Sequence, residues 1–167
     1  DRSYLGRVKA LGPDGLDLLN RIATKEIASL AVGEGANTVL TSSSGRIIDR
    51  ILVLRTGPEE LLLLTAPETR KSVMDWIGKY TIMEDLFLED VTDDTAMLCT
   101  IGPLAEQLVA MGFEVSQNLS LYGNTRVRSG GMEVLLVRTD PAGLPGYELV
   151  VSASEVEELW NMLNEAG

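Results

Sequence analysis

The punctuation of this chain repeats. Gly12-Pro13 recurs as Gly102-Pro103, 90 residues later, the turn at Gly45 recurs at Gly130, 85 later, and the strand-to-helix step after Thr65 recurs after Ser152, 87 later. Each half reads in the order strand, helix, strand, strand, strand, helix. A period near 90 residues carried by element order limits the chain to two structurally equivalent halves. Short hairpin links demand antiparallel pairing within each half. The expectation is an α+β fold of two duplicated strand-helix-strand-strand-strand-helix halves, 1–88 and 89–167, with mainly antiparallel sheets.

The local readings come from apolar period and turn chemistry. Tyr4–Leu11 reads as a strand, stopped by Gly12-Pro13, with Pro suited to the first helical position. Leu16, Leu19 and Ala23 then share a helix face. Thr38–Thr41 and Ile47–Arg55 form a hairpin around Ser42-Ser43-Ser44-Gly45, and Leu61–Thr65 is the next strand. Thr65 with Glu68 forms a capping-box pattern before a helix that buries Val73, Trp76, Ile77 and Tyr80. After the acidic loop Glu89–Asp94 the order restarts with the strand Ala96–Ile101 and a helix presenting Leu104, Leu108 and Met111. Strands follow at Asn124–Arg128, Glu133–Thr139 and Tyr147–Ser152. Ser154 with Glu157 repeats the capping pattern before a helix that buries Val156, Leu159, Trp160 and Leu163.

Composition removes several chemistries. There is no histidine, so Ser-His-Asp and Cys-His mechanisms are absent along with the commonest metal ligand. One cysteine permits no disulfide within the chain and no cysteine-based metal cluster. It lies in the apolar run Ala96–Cys99 and reads as a buried core residue; this usage fits the cytoplasm. Net charge is −11. Residues 1–81 carry 11 Lys/Arg against 10 Asp/Glu, and residues 82–167 carry 3 against 15. An acidic second half argues against nucleic acid, which needs clustered cations, and against an anionic membrane surface. No stretch reaches the roughly 20 apolar residues needed to span a bilayer.

Three places interrupt apolar strands with charge. Asp49 and Arg50 are adjacent, so they point to opposite faces of one strand. Either they form a solvent-side pair, or one of them lines a polar pocket. Glu148 interrupts Tyr147–Leu149 beside the loop Pro141–Gly146. It either faces solvent or accepts a bidentate hydrogen bond from a ligand's amino and ring N–H groups. Arg138 and Asp140 read as a local ion pair.

Several segments, taken together and in order, resemble a known family. They are Asp1-x-Ser3-x-x-Gly6 with Gly12-Pro13-Asp14; Thr38-x-Leu40-Thr41 with Gly45-x-Ile47-Ile48-Asp49; Thr100-Ile101-Gly102-Pro103; Arg138-Thr139; Gly146-Tyr147-Glu148-Leu149; and the ending Leu163–Gly167. The resemblance is to the folate-binding domain of the glycine cleavage system T-protein, the aminomethyltransferases, and it covers the whole chain. It implies a fold that holds tetrahydrofolate between its halves, with a lipoyl carrier protein as partner where the family transferase is active. In the family the hairpin ends in Ile-Asp-Asp, and the second Asp is the catalytic carboxylate. Here that position is Arg50, a permanent cation, and Asp49 precedes it. The family tyrosine before the hairpin falls on Asn37, and the tyrosine of its later loop falls on Pro141. The pterin-binding glutamate is kept as Glu148, with Arg138 near the same loop. The resemblance therefore implies reduced-folate binding with aminomethyl transfer impaired. The alternatives are an active transferase using Asp49, or a non-catalytic module, including a folate-dependent iron–sulfur maintenance protein. It also implies that a C-terminal barrel domain, present in the family, lies outside this chain.

Overall fold

A computed structural model describes residues 1–113 and 119–166. The chain forms two units, Tyr4–Thr92 and a second made of Asp1–Ser3 with Asp93–Gly167. The expected last helical residue, Gly167, lies outside the described residues.

In the first unit the strands are β1 (Gly6–Leu11), β2 (Gly35–Thr41), β3 (Ile47–Gly57), β4 (Glu60–Thr65) and β5 (Phe87–Asp90), with helices α1 (Gly15–Ile22) and α2 (Arg70–Tyr80). The sheet order is β2-β3-β4-β1-β5, and every pairing is antiparallel. Side-chain alternation sends Val8, Ala10, Leu40, Ile51, Val53, Leu61 and Leu63 to one face, where they meet Leu18, Leu19, Val73 and Ile77 from the helices. Fully burying one such aliphatic side chain contributes about 1.5–3 kcal/mol, so this face decides the unit's register.

β5 overlaps the start of what reads in sequence as the acidic loop Glu89–Asp94. Its four residues pair with β1 from Val8↔Asp90 to Leu11↔Phe87. The chain therefore stays with the first sheet through Asp90 and passes to the second unit after Thr92. The signal was weak because β5 is a short edge strand, mostly exposed and acidic.

The second unit contains β6 (Thr95–Ile101), α3 (Ala105–Gly112), β7 (Asn124–Ser129), β8 (Met132–Thr139), β9 (Gly146–Ser152) and α4 (Val156–Ala166). Its sheet order, β6-β9-β8-β7, is the β2-β3-β4-β1 order of the first unit read from the other edge. The duplication is thus topological. Gly12 and Gly102 hold the same place after the first strand of each half, with φ of +134° and +127°.

Several local expectations need correction. Neither capping pattern forms a side-chain cap: α2 begins after Thr69, and a single 3-10 turn at Ala153–Glu155 precedes α4. Trp160 is 52% exposed, while Leu159 and Leu163 are buried. Leu104 and Met111 are exposed as well, and α3 buries Ala105 and Val109 instead. In each helix the apolar stripe is broader than the contact, so residue type alone did not identify the buried members. Among the described residues no helix is long and apolar enough to cross a membrane.

Candidate functional site

The β2–β3 hairpin explains the Asp49-Arg50 pair. A register shift at Leu40/Thr41 sets Ile47 opposite Thr41 and Asp49 opposite Leu40, leaving Ile48 as the extra, bulged residue. Asp49 thereby turns inward and is 6% exposed. Its Oδ1 accepts the Arg50 backbone N–H at 2.7 Å. Its Oδ2 accepts the Ala66 N–H at 2.9 Å and the Thr69 hydroxyl. A buried carboxylate needs such donors, and the two from Ala66 and Thr69 tie the hairpin to the junction between β4 and α2.

Arg50 points the other way and is exposed. It pairs in register with Val39, and Asn37 pairs with Leu52. Directly opposed residues of an antiparallel pair share a face, so Arg50 and Asn37 are neighbours on the face opposite Asp49. Among the described residues the Arg50 guanidinium has no hydrogen bond or ion pair. The structure thus brings Asn37 and Arg50 together and separates Asp49 from both.

In the second unit Glu148 lies in the central strand β9, between Cys99 of β6 and Val137 of β8. Tyr147, Leu149 and Val151 face the helices, so Glu148 faces away from them. It is 4% exposed. Its Oε1 is 3.1 Å from Nη1 of Arg2. Its Oε2 is buried and has no hydrogen-bond partner among the described residues. Burial pushes the Glu148 carboxyl above its ordinary value, and the Arg2 guanidinium opposes that shift. The Thr139 hydroxyl, on the same face of β8, is also buried and unpartnered.

Arg138 and Pro141 sit elsewhere around that strand. Arg138 pairs in register with Tyr147 and shares its face, its Cζ 5.5 Å from the ring centroid. Its Nε and Nη2 donate to Asp140 Oδ1 at 3.2 and 3.0 Å. It therefore lies on the opposite face from Glu148. Pro141 opens a one-turn 3-10 helix, Pro141–Gly143, and its ring lies against Gly146, where a Cβ would fall 3.0 Å from the proline Cδ.

Two participants escaped sequence reasoning. Arg2 is 146 positions from Glu148, and no local pattern links them. Cys99 is half-buried rather than a core residue. Ala96 and Leu98 take the core positions of β6, so alternation puts Cys99 on the Glu148 face. Burial, with the Glu148 carboxylate adding to it, pushes the Cys99 thiol up to about 11. It is neutral near pH 7 and does not act as a thiolate nucleophile.

The family match and the sequence relatives point to one family, and the solved structures share its fold. The family described as GCVT N-terminal domain matches residues 1–167. An aminomethyltransferase of Symbiobacterium thermophilum is 34% identical over 176 residues, covering 100% of this chain and 46% of that protein. One of Herpetosiphon aurantiacus is 29% identical over 168 residues, with the same coverages. The chain thus spans somewhat under half the length of these relatives. Among solved structures, the glycine cleavage system aminomethyltransferase T of Bartonella henselae superposes with a TM-score of 0.83 at 16% identity, over 96% of this chain and 43% of that one. A heterotetrameric sarcosine oxidase of Corynebacterium sp. U-96 gives 0.76 at 18% identity, over 98% and 79%. With two halves of one topology, a family match along its whole length and aminomethyltransferases among its relatives, this chain belongs to the GCVT N-terminal domain family.

Proposed function

We propose that this domain binds a reduced folate, tetrahydrofolate, and that Glu148 accepts hydrogen bonds from the N–H groups of its pterin ring. The observation that carries this reading is the Glu148 carboxylate itself, with Oε2 buried and without a donor. A buried acceptor left unpaired costs about 1–3 kcal/mol, and a fold keeps such a cost where a ligand relieves it. The 2-amino and ring N–H donors of a pterin suit a carboxylate, which is acceptor-only when ionised.

Aminomethyl transfer of the family's kind is impaired in this reading. The position of the family's catalytic carboxylate is Arg50, an exposed cation that disfavours positive charge developing nearby. Asp49 is a poor substitute. Its bonds to Ala66 and Thr69 favour a fastening role, and alternation aims it away from Arg50 and Asn37. Pro141 and Asn37, at the positions of family tyrosines, bring no phenol to the ring. A lipoyl carrier protein has a role only if transfer persists, so it is not part of this reading.

Calorimetric titration with 5-formyltetrahydrofolate tests it. The expected result is micromolar binding that Glu148→Gln weakens by ten-fold or more, the order of one lost hydrogen bond to a charged group. Binding by the unaltered protein that Glu148→Gln leaves unchanged, or no binding by either, overturns it.

A further inference from the structure

We infer that Arg2 is a positioning residue for the ligand of Glu148: its guanidinium holds one carboxylate oxygen, so that the other is presented, ionised, to a neutral N–H donor edge. The inference rests on the folate reading and adds a residue and a ligand class to it. Arg2 is fixed by its backbone, whose N–H donates to Met97 O at 2.8 Å, while Ser3 Oγ accepts the Met97 N–H at 2.9 Å. The segment Asp1–Ser3 is thereby held beside β6, one alternate residue from Cys99. From there Nη1 of Arg2 is 3.1 Å from Glu148 Oε1.

The contact is one-sided. A guanidinium that served only to neutralise a carboxylate would engage both oxygens as a fork. Here Oε2 is left without a partner, and so is the buried Nε of Arg2. One oxygen is held and the other is kept free. Because Arg2 already balances the charge, a second cation gains little at Oε2. A neutral heterocycle edge with adjacent N–H groups, of the 2-amino-4-oxopyrimidine type, gains a charge-assisted bond without bringing excess charge.

The groups of this unit facing Glu148 are few. Arg2 comes from the first segment and Cys99 from β6, while β8 presents Val137 and Thr139. Burial raises the Glu148 carboxyl, and Arg2 is the largest effect opposing it. The Cys99 thiol is neutral at ordinary pH and adds no charge. Removing the guanidinium therefore raises the carboxyl further. A proton taken up there turns an acceptor into a group that meets the ligand's N–H donors with an O–H.

The test titrates 5-formyltetrahydrofolate into the unaltered protein, Arg2→Gln, Arg2→Lys and Glu148→Gln at pH 6.5 and pH 8.5. Arg2→Gln is expected to bind more weakly than the unaltered protein at pH 6.5 and to recover toward the unaltered affinity at pH 8.5, because the carboxyl that has lost its guanidinium titrates higher. Arg2→Lys is expected to keep most of the affinity at both. The carboxyl carbon of Glu148, followed by NMR without ligand, is expected to titrate at higher pH in Arg2→Gln. Equal affinities of the unaltered protein and Arg2→Gln at pH 6.5, or a loss identical at both pH values, overturns the role of Arg2 while Glu148→Gln still reports on the folate reading. No binding by any variant overturns both.

Discussion

The residue scale shows how two neighbouring charges take separate tasks. Alternation told from the sequence that Asp49 and Arg50 face opposite ways. It did not tell which faces inward, because that depends on the bulge that makes Ile48 the extra residue. Nor did it give the partners of Asp49, which lie 17 and 20 residues on, in a turn that reads as a capping box. The turn is fastened from another strand instead: Asp49 accepts the Ala66 N–H and the Thr69 hydroxyl just before the start of α2. Asp49→Ala leaves the Ala66 N–H unpaired and the Thr69 hydroxyl with only the Ala66 carbonyl as acceptor, and a loss of about 1–3 kcal/mol is expected in urea denaturation. Asp49→Asn keeps one acceptor oxygen, with a smaller loss of about 1 kcal/mol expected. Unchanged stability in Asp49→Ala would return this carboxylate to the candidates for chemistry.

Elements were more legible than their faces. The strands and helices that bind the core came out of the apolar pattern, because each must bury one side. The acidic edge strand β5 did not, because a half-exposed edge carries little apolar signal. Helix faces misled for a related reason. In α4 the stripe Val156, Leu159, Trp160, Leu163 is apolar throughout, yet only Leu159 and Leu163 are buried. Trp160 instead lines a groove of about 430 Å³ with Ile101, Leu104 and Leu108. Leu159→Ala should therefore cost about 2–5 kcal/mol through the cavity it leaves. Trp160→Ala should cost under about 1 kcal/mol, as at other exposed positions. Paired denaturation curves check this, and a large loss in Trp160→Ala would mean that the ring is packed rather than exposed. The same lesson applies to Glu148: its strand was evident, but its burial and its pairing with Arg2 were not, since register and long-range partners are properties of the folded sheet.

At the scale of the whole molecule, the duplication was readable because backbone geometry, unlike side-chain identity, leaves its mark at fixed places. Gly12 and Gly102 follow the first strand of their halves with nearly the same positive φ, which only glycine adopts without strain. Their surroundings differ among the described residues. A Cβ on Gly12 would fall 2.1 Å from the backbone oxygen of Asp85. That chain segment is held close because the Asp85 N–H donates to Asp14 Oδ2 at 2.8 Å and leads into β5, which pairs with β1. The second unit has no counterpart to this strand among its described residues, and a Cβ on Gly102 meets nothing within 4 Å. The two equivalent substitutions should therefore differ. Gly102→Ala carries backbone strain alone, about 1–3 kcal/mol. Gly12→Ala carries the same strain plus a clash with backbone that cannot yield without disturbing β5, and more than about 3 kcal/mol is expected. Thermal melts of the two variants beside the unaltered protein measure the difference. Equal losses would mean that the Gly12 turn relaxes freely, and that β5 does not hold the first unit as firmly as its pairing with β1 implies.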